Sequence, residues 1–260
     1  MLLNVIKIGG NVIDDPQKLD NFLRDFSSLP GNKILIHGGG KIATKIAEKL
    51  GIETQMVGGR RITDKPMLEV VTMVYGGLVN KQIVAALQSK NCNAIGLTGA
   101  DGGAILAKKR PVKNIDYGFV GDIEKVNAEF ISNLLQNNVS PVFAPLTYDI
   151  DGNMLNTNAD TQASAIAVGM SKDFEVNLVY CFEKKGVLLD AEDDDSVISE
   201  IKPEYYEELK ASGAIFAGMI PKLDNAFDAL EKGVKKVTIC QAEQLVEAVK
   251  NGNAGTAILK

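Results

Sequence analysis

One histidine, His37, stands in the whole 260-residue chain, and tryptophan is absent. Zinc sites built on paired histidines, the H-E-x-x-H type included, are thereby excluded. A Ser-His-Asp or Cys-His catalytic group would have to use His37. The three cysteines, Cys92, Cys181 and Cys240, are an odd number, far apart and without a C-x-x-C pair. Neither a disulfide framework nor a zinc knot is expected, and a reducing cytoplasm is the default compartment. No uninterrupted apolar run approaches the roughly 20 residues of a membrane helix. The opening stretch Met1-Leu2-Leu3-Asn4-Val5-Ile6-Lys7 has no basic start and is too short for a signal peptide. A basic excess is missing too: 28 Lys+Arg against 33 Asp+Glu leave −5, so nucleic acid and anionic membranes exert no general attraction. Any chemistry must rest mainly on Lys, Arg, Asp, Glu, Asn and backbone amides.

What is present is a regular alternation of short apolar runs with amphipathic stretches, and 45% apolar residues suffice for one large core or two modest ones. Strands are expected at Leu3–Ile8, Lys33–His37, Ala94–Leu97, Pro141–Ala144, Val176–Phe182, Lys236–Ile239 and Thr256–Leu259. Helices are expected at Gln17–Leu29, Lys41–Leu50, Met67–Leu87, Glu129–Leu135, Ala159–Met170, Glu204–Ala211, Pro221–Lys232 and Glu243–Val249. Thr98–Asn127, with paired glycines and Pro111, reads as hairpins covering one sheet edge. Strands alternating with helices imply parallel pairing and an α/β sandwich, with ligands bound just beyond the strand ends. One continuous sheet with two lobes is expected, residues 1–172 and 173–260, the second run of strand-helix units starting near Ser171–Glu175.

Five segments draw attention, each with an ordinary alternative. Lys7-Ile8-Gly9-Gly10 is either a phosphate-binding corner, with glycine amides and a point charge, or a turn after an edge strand. His37-Gly38-Gly39-Gly40-Lys41 makes an anion-binding corner before a helix. It also reads G-x-G-x-x-A through Gly38, Gly40 and Ala43, a weak dinucleotide fingerprint, but is no Walker A loop because Ile42 follows Lys41. His37 itself is read as a hydrogen-bonded strand-end histidine, not a base. Gly58-Gly59-Arg60-Arg61-Ile62-Thr63 is either a carboxylate fork or a hairpin with solvated basic residues. In Asn156-Thr157-Asn158-Ala159-Asp160 two amides share an extended face; a cap explains Asn158 and the helix dipole explains Asp160, but neither explains Asn156. In Gly218-Met219-Ile220-Pro221-Lys222 a lysine in a first helical turn opposes the dipole, a conflict a bound anion would resolve. The acidic run Asp190–Asp195 lacks the pattern of a calcium loop and reads as solvated. The apolar Met67–Leu87 stretch is core or a homodimer interface.

Two separated lysines, two glycine corners, an arginine pair and an aspartate point to the handling of polyanions. Phosphoryl transfer depends on positioning and charge neutralisation more than on covalent help. A carboxylate acceptor is already ionised at neutral pH and needs no general base.

On these five segments, which run in order over essentially the whole chain, the sequence resembles the amino acid kinase family and, within it, the branch acting on N-acetyl-L-glutamate in arginine synthesis. The resemblance implies a three-layer αβα sandwich around a mainly parallel sheet. The N-terminal lobe would bind the acylglutamate and dimerise, and the C-terminal lobe would bind ATP with Mg2+ held mainly by the ATP phosphates and no protein metal site. Lys7 and Lys222 would stabilise the transferring phosphoryl group, and Asp160 would hold both lysines. Gly39 and Gly40 would line the substrate site, Arg61 would grip a substrate carboxylate, and Asn156 and Asn158 the acylamino-acid backbone. Gly9, Gly10, Glu183 and Lys185 would meet the nucleotide, with Gly10 and Gly40 donating N–H groups to phosphate. A departure falls at Cys181-Phe182-Glu183-Lys184-Lys185-Gly186, where the family has a Thr-Asp-Val-like turn. The short lead before the first strand implies a homodimer insensitive to arginine, since arginine-inhibited members carry an extra N-terminal helix. Alternatives are the same reaction on N-succinyl-L-glutamate, a sibling aspartate, carbamate or UMP kinase, and a non-catalytic amino-acid sensor. A dinucleotide-dependent oxidoreductase would lack its ribose-binding acid.

Overall fold

The computed structural model describes every residue except Gly59, Ala191, Phe216, Ala217, Gly218, Asn251 and Asn253. Two glycines of the segments above, Gly59 and Gly218, therefore lie outside the described residues. The chain starts with β1 (Leu2–Ile8), α1 (Gly10–Ile13), α2 (Pro16–Ser28), β2 (Asn32–Ile36), α3 (Gly40–Lys49), β3 (Met56–Val57), β4 (Arg60–Arg61) and α4 (Lys65–Gln88). It continues with β5 (Ala94–Leu97), β6 (Ile105–Lys109), β7 (Gly121–Val126), α5 (Ala128–Gln136), β8 (Ser140–Phe143), β9 (Leu146–Tyr148), β10 (Met154–Asn156) and α6 (Ala159–Met170). The last part holds β11 (Glu175–Phe182), β12 (Glu200–Ile201), α7 (Pro203–Ser212), α8 (Ile220–Glu231), β13 (Lys236–Gln241), α9 (Leu245–Lys250) and β14 (Thr256–Ile258).

One large sheet runs in the order β12-β14-β13-β11-β1-β2-β8-β5. Every pairing in it is parallel except β13 with β14. Strand alternation assigns the two faces. Leu3 and Val5 of β1 join Leu178, Tyr180 and Ile239 in a core with α5, α6, α7 and α8. Ile6 and Ile8 point the other way, with Val179, Cys181 and Cys240, onto α2, α3, α4 and α9. The result is the expected αβα sandwich. By the same alternation Lys7 shares the face of Leu3 and Val5, so the sheet carries its ammonium towards α6 and α8.

Local chemistry explains the helix starts. Asp15 caps α2 by accepting hydrogen bonds from the amides of Gln17 and Lys18, and Pro16 takes the first helical position. Asp64 caps α4 in the same way through Met67 N–H at 2.9 Å, with Pro66 next to the start. Asn158 caps α6 through the amides of Asp160 and Thr161.

Two features depart from the sequence reading. Thr98–Asn127 supplies one antiparallel pair, β6 with β7, rather than several hairpins; with β9 and β10 it forms a second, four-stranded sheet ordered β10-β9-β6-β7. The long helix α4 is not one regular helix, because Thr72–Val79 is wound as a π-helix. At 24 residues, with an 18-residue stretch of mean hydropathy 1.4, α4 has the length and composition of a membrane span, although no uninterrupted apolar run was expected to reach that size. It packs as a core helix here: Val70, Val71, Ile83 and Leu87 are fully buried, while Met73 and Leu78 are exposed.

Candidate active site

The glycine corners meet beyond the C-terminal ends of β1 and β2. A Cβ at Gly38 would lie in ordinary van der Waals contact with the Gly10 amide nitrogen, at 3.8 Å, which shows how closely the two corners approach. Gly39 has φ +148°, and a Cβ there would lie 3.1 Å from the Tyr75 ring, so glycine is required both by conformation and by space. Gly10 and Gly40 head α1 and α3, and their amides have no acceptor within their own helices. Gly9 differs from the expectation of a nucleotide-facing amide: its N–H donates to the Cys181 carbonyl at 2.9 Å and continues the sheet.

His37 is fully buried beside this corner. Its Nδ1 contacts the Gly38 carbonyl at 2.7 Å and its Nε2 contacts Asn80 Nδ2 at 3.1 Å. Burial pushes its pKa down to about 4, so it is neutral at physiological pH and both ring nitrogens are engaged. It is a core hydrogen-bonding group, as the sequence reading held.

The centre of the site is Asp160 in the first turn of α6. Its Oδ1 lies 2.7 Å from Lys7 Nζ and its Oδ2 lies 2.6 Å from Lys222 Nζ. Burial alone would raise this carboxyl's pKa, but the two ammonium groups outweigh it and hold the value at about 2. Lys222 is pushed below the usual lysine range, first by burial and then by the charge of Lys7. One carboxylate between two lysines leaves a net +1, turned towards a cleft of about 770 Å³ lined by Asp160, Lys222, Pro221 and Asn158. Sheet alternation brings in Lys7, the α6 cap brings in Asp160, and Pro221 starts the helix that brings in Lys222.

A second cavity, about 220 Å³, adjoins the first through Arg60, Asn158 and Thr161. Gly39, Gly40, Arg61, Tyr75 and Asn156 are in its wall. Arg61 sits in the β3–β4 hairpin, as its ordinary alternative expected, yet it is only 8% exposed, so it is not a solvated residue. Its Nη2 donates to the Gly40 carbonyl at 3.0 Å and to Thr44 Oγ1 at 2.8 Å, which fixes the guanidinium against the glycine corner. Asn156 Nδ2 donates to Thr63 Oγ1 at 3.0 Å. Asn158 uses its Oδ1 as the α6 cap, so only its amide nitrogen is left for a ligand.

Glu183 and Lys185 follow β11. Glu183 is close enough to Lys222 to act on its pKa. Lys185 pairs with Asp195 at 2.6 Å and Lys184 with Asp194 at 2.8 Å, so the acidic run is partnered by these lysines rather than merely solvated. Pairs as exposed as these are screened by water and salt and hold the lysines only weakly. Among the described residues no group of three or more carboxylates, cysteines or histidines could hold a metal ion.

The sequence reading included Thr63 in the Arg60-Arg61-Ile62-Thr63 segment without giving it a role, and it gave none to Tyr75 or Arg110. Tyr75 reaches the site through buried packing that carries no motif. Arg110 follows the end of β6 in an unremarkable basic stretch, Lys108-Lys109-Arg110, and only the fold of the second sheet turns it towards the smaller cavity.

With this geometry in view, comparison with known proteins is specific. Residues 3–241 match the model of the amino acid kinase family. The acetylglutamate kinase of Cytophaga hutchinsonii is 62% identical over 259 residues, covering 99% of this chain and 98% of that one. That of Bacteroides thetaiotaomicron is 57% identical over 258 residues, covering 99% and 98%. Among solved structures, N-acetylglutamate synthase from Neisseria gonorrhoeae superposes with a TM-score of 0.84 at 22% identity, over 100% of this chain and 59% of that one, a likeness of fold alone.

Proposed function

The chain belongs to the amino acid kinase family, and from that premise we infer that it transfers the γ-phosphoryl group of ATP to the side-chain carboxylate of N-acetyl-L-glutamate. The products are N-acetyl-L-glutamyl 5-phosphate and ADP, in arginine biosynthesis. The observation that carries this reading is the Lys7–Asp160–Lys222 bridge at the junction of two cavities.

The smaller cavity takes the acylglutamate. Arg61 receives the α-carboxylate, and Asn156 and Asn158 the acylamino backbone. The side-chain carboxylate then points towards the lysines. One carboxylate oxygen forms a bond to the γ-phosphorus while the bond from that phosphorus to the β,γ-bridging oxygen breaks, and ADP carries the electron pair away. No proton moves in this step, because a carboxyl of pKa about 4.3 is already ionised. This fits a site whose one histidine is buried and neutral. Lys7 and Lys222 offset the repulsion between carboxylate and triphosphate and follow the charge as it spreads over the transferring oxygens. Asp160 keeps the two ammonium groups side by side until that anion arrives. Amides of Gly10 and Gly40 face the phosphates. We assign Mg2+ to the phosphates of ATP.

Residues 1–172 are assigned to the acylglutamate and to dimerisation, and residues 173–260 to ATP. The exposed Met73 and Leu78 on α4, with the half-exposed Ile95, offer an apolar strip for a second copy. Three buried, unpaired cysteines agree with a cytoplasmic setting.

The test is ATP turnover with Mg2+ and N-acetyl-L-glutamate, with acyl phosphate trapped as hydroxamate and aspartate, carbamate and UMP as controls. Turnover confined to acylglutamate supports the reading; turnover of a control alone overturns it. Replacing Arg61 by alanine should raise the KM for acylglutamate by about 10–100-fold, the worth of a charge-assisted hydrogen bond, with a smaller change in kcat. An unchanged KM would remove Arg61 from the carboxylate site.

A further inference from the structure

His37 is fully buried at the glycine corner and has no part in the reaction proposed above. Its neighbours nevertheless fix which ring nitrogen carries the proton. The Lys81 ammonium can only donate, and Asn80 Oδ1 accepts from it at 3.1 Å. The Val142 carbonyl can only accept, and Asn80 Nδ2 donates to it at 2.9 Å. The Asn80 amide therefore has one orientation, and its Nδ2, 3.1 Å from His37 Nε2, presents a donor to the ring. Nε2 is then the bare, accepting nitrogen. Burial holds the ring neutral at physiological pH, so its single proton is on Nδ1, which donates to the Gly38 carbonyl at 2.7 Å.

The fold keeps these groups in place. Asn80 is fully buried like His37, and β5 has a glycine where Asn80 passes: a Cβ at Gly96 would lie 1.8 Å from Asn80 Oδ1. The series Lys81–Asn80–His37 ends on the peptide between Gly38 and Gly39. With no side chain on either glycine, such a peptide meets little steric resistance to rotation, so another group has to hold it. In a planar trans peptide the carbonyl and the following N–H point in opposite directions. Anchoring the Gly38 carbonyl on the buried ring turns the Gly39 N–H away from it, and Gly39 borders the smaller cavity. Among the described residues no acceptor meets that N–H.

We propose that His37, held in one tautomer by Asn80, is a positioning residue that locks the Gly38–Gly39 peptide, so that the Gly39 N–H is set to donate to an anionic oxygen of the acylglutamate. This rests on the reaction proposed above. A donor fixed beforehand needs no reorganisation when the anion arrives. Flipped, the same peptide would turn the Gly38 carbonyl towards the carboxylate and repel it.

The test has two arms. The untagged chain has one histidine, so isotope-labelled histidine reports the ring nitrogens of His37 alone. Nitrogen NMR of the wild type at neutral pH should show the proton on Nδ1 and a bare Nε2. A proton on Nε2 overturns the proposal without any variant having to fold and without any substrate. The kinetic arm uses ATP and whichever of N-acetyl- and N-succinyl-L-glutamate the wild type turns over. His37→Gln carries its amide at the Nε2 end and has no donor in the place of Nδ1. It should raise the KM for acylglutamate by about 10–100-fold, the range for one hydrogen bond to a charged group, with the KM for ATP little changed. In His37→Asn the amide nitrogen takes the place of Nδ1, so this variant should recover most of the loss although it gives up the Asn80 contact. An unchanged KM in a folded His37→Gln protein overturns the proposal, as does an equal rise in both variants, which a merely structural histidine would give. Rejection of both acylglutamates by a folded, ATP-binding wild type brings down the kinase reading, and the proposal with it.

Discussion

Lys222→Ala should lower kcat by about 100–1,000-fold, the cost of removing one preorganised charge donor from a transition state. The KM for acylglutamate should change far less. The reason is geometric: Lys222 is held 2.6 Å from Asp160 beside the larger cleft, whereas the smaller cavity, proposed above for the acylglutamate, is lined by Arg61, Asn156 and the glycine corner. In the proposed reaction its contact with the phosphoryl oxygens strengthens only as charge develops on them, so the loss belongs in kcat. The wild-type pH profile should carry the same signature. Lys222 is depressed below the usual lysine range, first by burial and then by Lys7, so activity should fall on the alkaline side earlier than an ordinary lysine would dictate. The Lys222→Ala enzyme should lose that limb. A variant with raised KM and normal kcat would place Lys222 outside the transfer step.

Asp160→Ala should have the largest effect on stability. Removing one partner of a buried ion pair costs about 3–5 kcal/mol, because the remaining charge is stranded. Here two ammonium groups would be stranded side by side. For a chain of this size each kcal/mol moves Tm by roughly 2–4 °C, so a drop on the order of 10 °C is expected by calorimetry. The wild type should show the same charge through pH. Asp160 titrates at about 2 when folded against 3.8 unfolded. A depressed carboxylate contributes stability that is whole above pH 4 and disappears as pH falls from about 4 to about 2, roughly 2–3 kcal/mol in all. That acid-sensitive component should be absent from Asp160→Ala. The variant should also regain part of its activity at lower pH, where the buried Lys222 holds its proton without a counterion. A variant with wild-type Tm and an unshifted pH profile would show that the bridge does not form.

The layers of this molecule were legible because burial is written at two periods. Continuous apolar runs such as Val176–Phe182 announce strands buried on both faces, and Phe22, Leu23 and Phe26 recur at helical spacing in α2. Short elements were not legible. β9 and β10 have three residues each, joined by a polar turn, and no window that small carries a period. The π turns of α4 escaped for another reason: Thr72–Val79 is apolar nearly all round, so no face marks where the winding changes. In the site, Lys222 stood out because it opposes the helix dipole, a conflict that an anion resolves, and Lys7 because it precedes a glycine pair; Asp160 obeys the dipole rule and drew notice only through its neighbours Asn156 and Asn158. Arg61 hid behind a plausible hairpin, and only its burial against Gly40 and Thr44 separates it from the exposed Arg60. Arg110 broke no local rule at all. Its place in the wall of the smaller cavity is a property of the packed molecule and not of the chain.

The π segment of α4 bears on which changes in chain length this protein can tolerate. From Tyr75 onward the buried apolar residues fall every four positions: Tyr75, Val79, Ile83 and Leu87. A regular α-helix turns about 100° per residue, so this series would drift steadily off the core if the winding stayed regular. The wider π turns absorb the drift and keep Leu78 outside. A π turn holds one residue more than an α turn, so removing one residue between 72 and 79 would let the helix rewind as α with Ile83 and Leu87 still turned to the core. The same deletion in Lys65–Val71, where the winding is already α, would turn everything after it by about 100° and swing Ile83 and Leu87 off the core together. Gene variants that shorten the helix by a single codon should therefore survive in the π segment and be purged from the turns before it.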